Sequence, residues 1–288
     1  MPELPEVETL RRGLEQAAVP GRRITRIVIV NPKVLKGQSE SRFQERAWGA
    51  TICAVKRRGK YLLLPLTQVF TSSSQLSSTA SGASLCLCIH LKMRGQLLLE
   101  DAESVPGKYH CVTLGLEDGR ELRFYDMWTW GEMRALTDDE LAAIPNLAGM
   151  GREPLEAEWG ADDLGRAVKG RKTAIKSTLL DQRVLAGVGN IYADESLFRA
   201  GVHPQRAAGS LSVPEVERLA GALRSILAEA VQGGGTTSDN YVDVRGAAGR
   251  YEPRVYDRGG QPCLTCGTTL SRIRLGGRGT VFCVRCQA

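Results

Sequence analysis

The sequence predicts an α+β protein of several domains: an antiparallel β-sandwich or barrel with flanking helices, then a helical segment, then a small C-terminal hairpin held by four cysteines. Three observations predict it. From Ile24 to about Arg134, short runs rich in Val, Ile, Leu and Tyr alternate with Gly, Pro, Asn and Asp. From Thr137 the apolar period lengthens to that of amphipathic helices. The tail carries Cys263-x2-Cys266 and, sixteen residues on, Cys283-x2-Cys286.

In chain order, residues 5–17 predict a helix: Pro5 suits a first turn, Glu6 and Glu8 suit the positive end of the helix dipole, and Val7, Leu10 and Leu14 share one side. Strands are expected over 24–30, 50–56, 60–66, 85–91, 95–99, 111–117 and 120–126. Residues 67–84 form a Ser/Thr-rich low-complexity insert, expected to be a loop. Helices are expected in DDELAAI, KTAIKSTLLD, IYADESLFRAG and SVPEVERLAGALRSILAEAV, the last started by Ser212, Pro214 and Glu215 and ended by Gly233 to Gly235. A long polar loop is expected over 234–260.

At 288 residues the chain can bury two modest cores. Its apolar runs fall well short of the ~18 residues a membrane span needs. The acidic N-terminus gives no secretory pattern, so a cytoplasmic protein is expected. The net charge of +6 is concentrated: from Arg245 onward stand eight arginines, no lysine and two acids, Glu252 and Asp257. A basic stretch is often only a solvated face, but guanidinium forks beside a metal motif suit phosphate. Cys53, Cys86, Cys88 and Cys111 lie in apolar, strand-like stretches and read as small core residues. The paired Cys-x2-Cys knuckles, in contrast, supply four thiolates for one closed, structural zinc ion, which would fold the hairpin carrying Arg272, Arg274 and Arg278. Met1 before proline is normally removed, which leaves Pro2 with a secondary amine of pKa about 7.7–8, partly neutral and nucleophilic near pH 7. Glu3 stands beside it, suited to acid/base work.

The string PELPEVETLRRGL resembles the N-terminus of the formamidopyrimidine-DNA glycosylase family. The likeness continues in the family's order through KRRGKYLLL, HLKMRG, KTAIK, GVGNIYADESLFRAGVHP, GGTT, VYDRGGQPC and RGTVFC. It implies an N-terminal β-sandwich over 1–135 bearing the catalytic end, a linker over 136–154, a helix-two-turn-helix domain over 155–235, and a lesion-capping loop with the four-cysteine zinc finger over 236–288. It also implies a bifunctional glycosylase and abasic-site lyase that removes oxidised purines from damaged double-stranded DNA as a monomer. Pro2 would be the Schiff-base nucleophile and Glu3 the acid that opens the sugar. Lys60 would assist proton transfer, and Arg278 would grip phosphate and support δ-elimination. Asn190, His90 and Lys172 would contact the DNA backbone, and Met93 would fill the gap left by the extruded base.

Taken singly these residues have ordinary readings: Lys60 as a solvated strand end, His90 as a satisfied sheet histidine, Asn190 as a turn former, Met93 as core. Two departures from the family pattern stand out. Asp126-Met127-Trp128-Thr129-Trp130-Gly131 puts Trp128 where the family's base-reading arginine is usual, although Trp130 can still wedge the opposite strand. Tyr109 stands where a histidine is typical. Because indole offers one neutral donor, weaker preference for cytosine over adenine opposite the lesion is expected. A non-catalytic zinc-ribbon DNA binder and the endonuclease VIII-type branch, which prefers oxidised pyrimidines, are the alternatives; Leu4 favours the purine branch.

Overall fold

The computed structural model describes residues 1–68, 84–237 and 241–288, so the 67–84 insert lies almost wholly outside the described residues. The chain divides into two compact units: Met1–Pro2, Val7–Ala148 and Asp239–Ala248 in the first, Glu3–Glu6, Gly149–Ser238 and Gly249–Ala288 in the second.

The first unit takes most of helix α1 (Leu4–Gln16), whose Val7, Leu10 and Leu14 are buried at helical spacing. Strand β1 (Ile24–Ile29) leads through a 3-10 turn to α2 (Glu40–Ala47). Helix α2 is missing from the sequence expectation because it is polar nearly all round. Its signals are the Ser39 cap and an i,i+4 pair, Phe43 and Ala47, that alone goes into the core. Then follow β2 (Thr51–Ile52), β3 (Lys56–Arg58), β4 (Tyr61–Thr67), β5 (Leu85–His90), β6 (Gln96–Asp101), β7 (His110–Leu116), β8 (Arg120–Tyr125) and β9 (Glu132–Thr137). Two short helices, α3 (Asp138–Ala142) and α4 (Pro145–Ala148), close the unit.

The strands form two antiparallel sheets, one in the order β1-β7-β8-β6 and one in the order β2-β4-β5-β9 with β3 also on β4. Register sets Leu62 opposite Ile89 and Ile89 opposite Met133, and one core joins side chains of both sheets. Sandwich, not barrel, is therefore the architecture. Strand β9 was not expected, since Glu-Met-Arg-Ala-Leu-Thr lacks the β-branched run that marks strands; pairing with β5 decides it, and Met133 and Ala135 face the core. The expected strand over 50–56 breaks into β2 and β3.

Cys86, Cys88 and Cys111 are buried as expected, and burial pushes the first two thiols up to about 12. Cys53 is exposed, contrary to the core reading. It lies in the break between β2 and β3, with its Sγ 2.9 Å from Thr67 Oγ1.

The 234–260 stretch contains no helix or strand among its described residues. Part of it nonetheless packs in the first unit: Tyr241 and Val244 join the sandwich core, and Leu99 N–H donates to the Val244 carbonyl at 2.8 Å. Gly13 in α1 permits this approach, because a Cβ there would lie 2.6 Å from Val244 Cγ2.

The second unit contains α5 (Ala161–Val168), α6 (Ile175–Leu180), α7 (Asn190–Ala200) and α8 (Val213–Gln232), then the hairpin β10 (Ser271–Leu275) and β11 (Arg278–Phe282). Helix α5, unexpected because Gly165 interrupts so short a segment, buries Leu164 and Val168. Helix α7 is buried on nearly every side, with α8 and β11 packed on it. At the start of α8 the Glu215 carboxylate accepts from the Ser212 N–H and hydroxyl at 2.8 Å each. Its end is Gly233, after which Gly234 and Gly235 take φ of +73° and +96°. In the hairpin, Gly276 and Gly277 both have positive φ, as a two-residue type I′ turn demands.

Candidate active site and zinc hairpin

In the second unit, Glu3 is 2% exposed, yet its carboxylate is doubly satisfied. Oε2 accepts from Gly189 N–H at 2.7 Å and Oε1 from Ile191 N–H at 3.0 Å. These are N–H groups left without partners at the first turn of α7, and the helix dipole adds to their attraction for an anion. The residue is held in place by its neighbours: Leu4 N–H donates to the Gly187 carbonyl at 3.0 Å, and Gly187, at φ +83°, has room for Leu4 only because it lacks a side chain. Glu6 lies in the same pocket of donors and accepts from Glu3 N–H, Thr236 N–H and Tyr192 Oη. Burial, then the Glu3 charge, push its carboxyl above the usual carboxylate range despite those bonds.

The α7 start also meets the zinc hairpin. Asn190 Nδ2 donates to the Gly279 carbonyl at 3.0 Å, one residue from Arg278, whose side chain is exposed. Lys176, wholly buried, forms an ion pair of 2.7 Å with Asp194 and donates to Gly279 O at 2.9 Å and Thr280 Oγ1 at 2.7 Å. Asp194 Oδ2 in turn accepts from Val281 N–H at 3.1 Å. Burial pushes Asp194 up to about 7 and Lys176 down, and each is pulled back toward its charged form by the other. Sequence reasoning missed this pair, because neither Lys176 nor Asp194 stands out among the other polar residues of α6 and α7. Lys172, in contrast, is exposed in the turn before α6.

The four cysteine sulfurs all lie within 4.8 Å of one another, with Cys263 and Cys286 at 3.9 Å and Cys266 and Cys283 at 3.5 Å. Zinc–sulfur bonds of ~2.3 Å in a tetrahedron place sulfurs ~3.8 Å apart, so the donor set fits one structural zinc. With four protein ligands no coordination position is left for substrate. A small core of Phe198, Val255, Leu270 and Val281 surrounds the cluster.

In the first unit, Pro2 is buried and Lys60 is 7% exposed, not the solvated strand end its type suggests. Lys60 stands in the β3–β4 turn, which Arg57 braces by donating to Glu8 Oε2 at 3.1 Å and to the Gly59 carbonyl at 3.0 Å. His90 ends β5, buried, with Tyr61 edge-on at 4.5 Å and its Nδ1 accepting from Lys92 N–H at 3.0 Å. Burial first, then the Lys92 and Lys60 charges, push it down to about 3, so at neutral pH it is an uncharged imidazole whose proton sits on Nε2.

The same unit exposes Met93, Tyr109, Trp128 and Trp130. The two indoles lie 4.8 Å apart on a loop fixed by Asp126, which accepts from Trp128 N–H at 2.9 Å and Gly131 N–H at 2.6 Å.

The β-sandwich, the buried acid at the start of α7 and the zinc-knuckle hairpin define a helix-two-turn-helix, zinc-finger class of protein. Three family models agree: the formamidopyrimidine-DNA glycosylase N-terminal domain matches residues 1–133, its H2TH domain 150–241, and a zinc finger found in FPG and IleRS 260–288. The chain is 42% identical to the formamidopyrimidine-DNA glycosylase of Desulfitobacterium hafniense over the full length of both. Among solved structures, MutM (Fpg) of Thermus thermophilus superposes with a TM-score of 0.82 at 39% identity, covering 99% of this chain and 98% of that one. Lactococcus lactis Fpg, in complexes with DNA containing an abasic site and with N7-benzyl-Fapy-dG DNA, does so with TM-scores of 0.85 at 29% identity, covering 99% of each chain. The chain belongs to the formamidopyrimidine-DNA glycosylase family. Among the described residues no helix is long and apolar enough to cross a membrane.

Proposed function

We propose that this chain excises oxidised purines, 8-oxoguanine and formamidopyrimidines, from double-stranded DNA and then cleaves the resulting abasic site, with Pro2 as the nucleophile. The observation that carries this reading is the Glu3 carboxylate, buried and aligned by two N–H groups of a helix start, one residue from Pro2. The N7-benzyl-Fapy-dG DNA and abasic-site DNA bound by the Lactococcus lactis relative support the substrate class.

With Met1 removed, the Pro2 amine attacks C1′ of the extruded nucleotide. The N-glycosidic bond breaks and the base leaves with the proton that the attacking amine gives up; Glu3 then delivers a proton to the ring oxygen as the C1′–O4′ bond breaks, so that the nitrogen of Pro2 and C1′ are joined as an iminium. The resulting iminium withdraws electrons from the sugar. Loss of a C2′ proton then expels the 3′ phosphate (β-elimination), and loss of a C4′ proton expels the 5′ phosphate (δ-elimination). Lys60 assists these proton transfers, and Arg278 neutralises the phosphates. Extrusion costs a few kcal/mol of stacking. Phosphate contacts by Lys172, Asn190, Arg278 and the neutral His90 N–H offset it, as do apolar insertion by Met93 and stacking by Tyr109, Trp128 and Trp130. Cys263, Cys266, Cys283 and Cys286 would hold a zinc ion that keeps the Arg278 hairpin in shape.

Borohydride reduction during reaction with an 8-oxoguanine duplex should trap a covalent adduct at Pro2, readable by mass. Glu3→Gln should slow base excision on the order of 10² to 10⁴, the usual range for losing a general acid. A processed wild-type protein that binds lesion DNA but forms no adduct would instead be a non-catalytic zinc-ribbon binder.

A further inference from the structure

The exposed indole pair holds a second feature that the residue types alone do not announce. Arg94, in the turn after β5, places its guanidinium over the Trp128 ring, 5.2 Å from the centroid. Among the described residues this guanidinium makes no hydrogen bond and no ion pair, and the side chain is only half-buried. Its five N–H donors are therefore uncommitted while its charge sits over an aromatic face. Around it the platform is stiff. Beyond the two Asp126 bonds, Lys36 Nζ donates to the Thr129 carbonyl at 2.8 Å and holds a non-glycine residue at φ +54°. Gly131 packs so closely on Phe124 that a Cβ would lie 2.6 Å from its ring. A rigid pair of exposed rings with a free, flat cation beside them is the chemistry that stacks an unpaired nucleobase and reads its edge.

We infer that Arg94 is the residue that reads the base left unpaired opposite the lesion, and that it favours cytosine over adenine. This rests on the activity proposed above, since base extrusion is what leaves the orphan base. The Watson–Crick edge of cytosine presents two adjacent acceptors, O2 and N3, to which a guanidinium can donate two parallel N–H bonds. Adenine presents one acceptor, N1, beside an amino donor that repels the fork. Trp128, with a single neutral N–H, cannot make this distinction; it serves as the surface that orients Arg94. The weak opposite-base preference expected from Trp128 by itself is thus reversed by a guanidinium supplied from a different turn.

Single-turnover excision of 8-oxoguanine opposite C and opposite A tests this. Wild type should prefer C. Arg94→Met, which keeps an unbranched stem but no donor, should lower the C-to-A ratio by about tenfold, chiefly through the C-paired rate, as expected for loss of one bidentate base contact. Arg94→Lys keeps the charge but loses the fork and should lower the ratio as well, so the test survives if the methionine variant folds poorly. A role limited to packing on Trp128 would slow both duplexes equally and leave the ratio unmoved. Equal wild-type rates opposite C and A, or a wild-type ratio in both variants, would overturn the inference. Absence of any lesion cleavage by wild type would instead overturn the proposed activity.

Discussion

Lys176→Met is the perturbation that most directly tests how the second unit presents Arg278. The ammonium is fully buried and makes one ion pair and two hydrogen bonds, all to groups that hold β11 on α7. The substitution keeps the aliphatic stem but leaves the Asp194 carboxylate, 2% exposed, without its countercharge. Stranding one partner of a buried pair costs about 3–5 kcal/mol, a large part of the roughly 5–15 kcal/mol of a typical domain. Replacing both partners, as in Lys176→Met with Asp194→Leu, should recover much of that loss, because no charge is then buried alone. Trp159 is buried in the core of the second unit, whereas Trp48, Trp128 and Trp130 belong to the first, so a background with those three changed to Phe reports the second unit alone by fluorescence. Denaturant unfolding should show the single variant destabilised by about 3 kcal/mol or more and the double variant clearly less so. A loss below about 1 kcal/mol for Lys176→Met, or an additive double variant, would refute the reasoning, since the pair would then be carrying no coupling.

Two further predictions concern the metal and the sheet. Chelation of zinc should release the hairpin, because the local core of Phe198, Val255, Leu270 and Val281 is too small to fold it alone, and should weaken DNA binding without unfolding the sandwich; circular dichroism and an anisotropy titration in parallel would show it, and unchanged affinity after verified metal loss would contradict it. His90 has a folded pKa of about 3 against ~6.5 when unfolded, so below pH 6.5 the unfolded chain takes up a proton that the folded chain refuses. Stability should therefore fall as pH drops from 6.5 toward 3, by up to about 1.4 kcal/mol per unit from this residue, and the fall should be shallower in His90→Gln; parallel pH profiles for the two proteins would count against it.

Much of this protein is legible in one dimension. The Cys-x2-Cys pairs define a zinc site because four thiolates at that spacing have few other uses, and the alternation from Ile24 onward defines a sheet because side chains on a strand face opposite sides. The start and stop of α8 are legible because Ser212, Glu215 and Gly233 act on backbone within a few residues of themselves. Family motifs then supply expectations for Pro2, Glu3 and Arg278. What escapes such reading are features whose cause lies far away in the chain. Strand β9 exists because β5 offers it a partner, Cys53 is exposed because the chain breaks its strand there, and Lys176 is buried because Asp194 and two acceptors on β11 meet it. The same holds for Glu3, whose sequence neighbours say nothing of the two N–H groups near residue 190 that align it, and for Arg94, which gains its place from an indole 34 positions away. Local chemistry is written in neighbouring residues; solvation, countercharge and ring contacts are set by whichever residues folding brings near, and only the tertiary structure decides those.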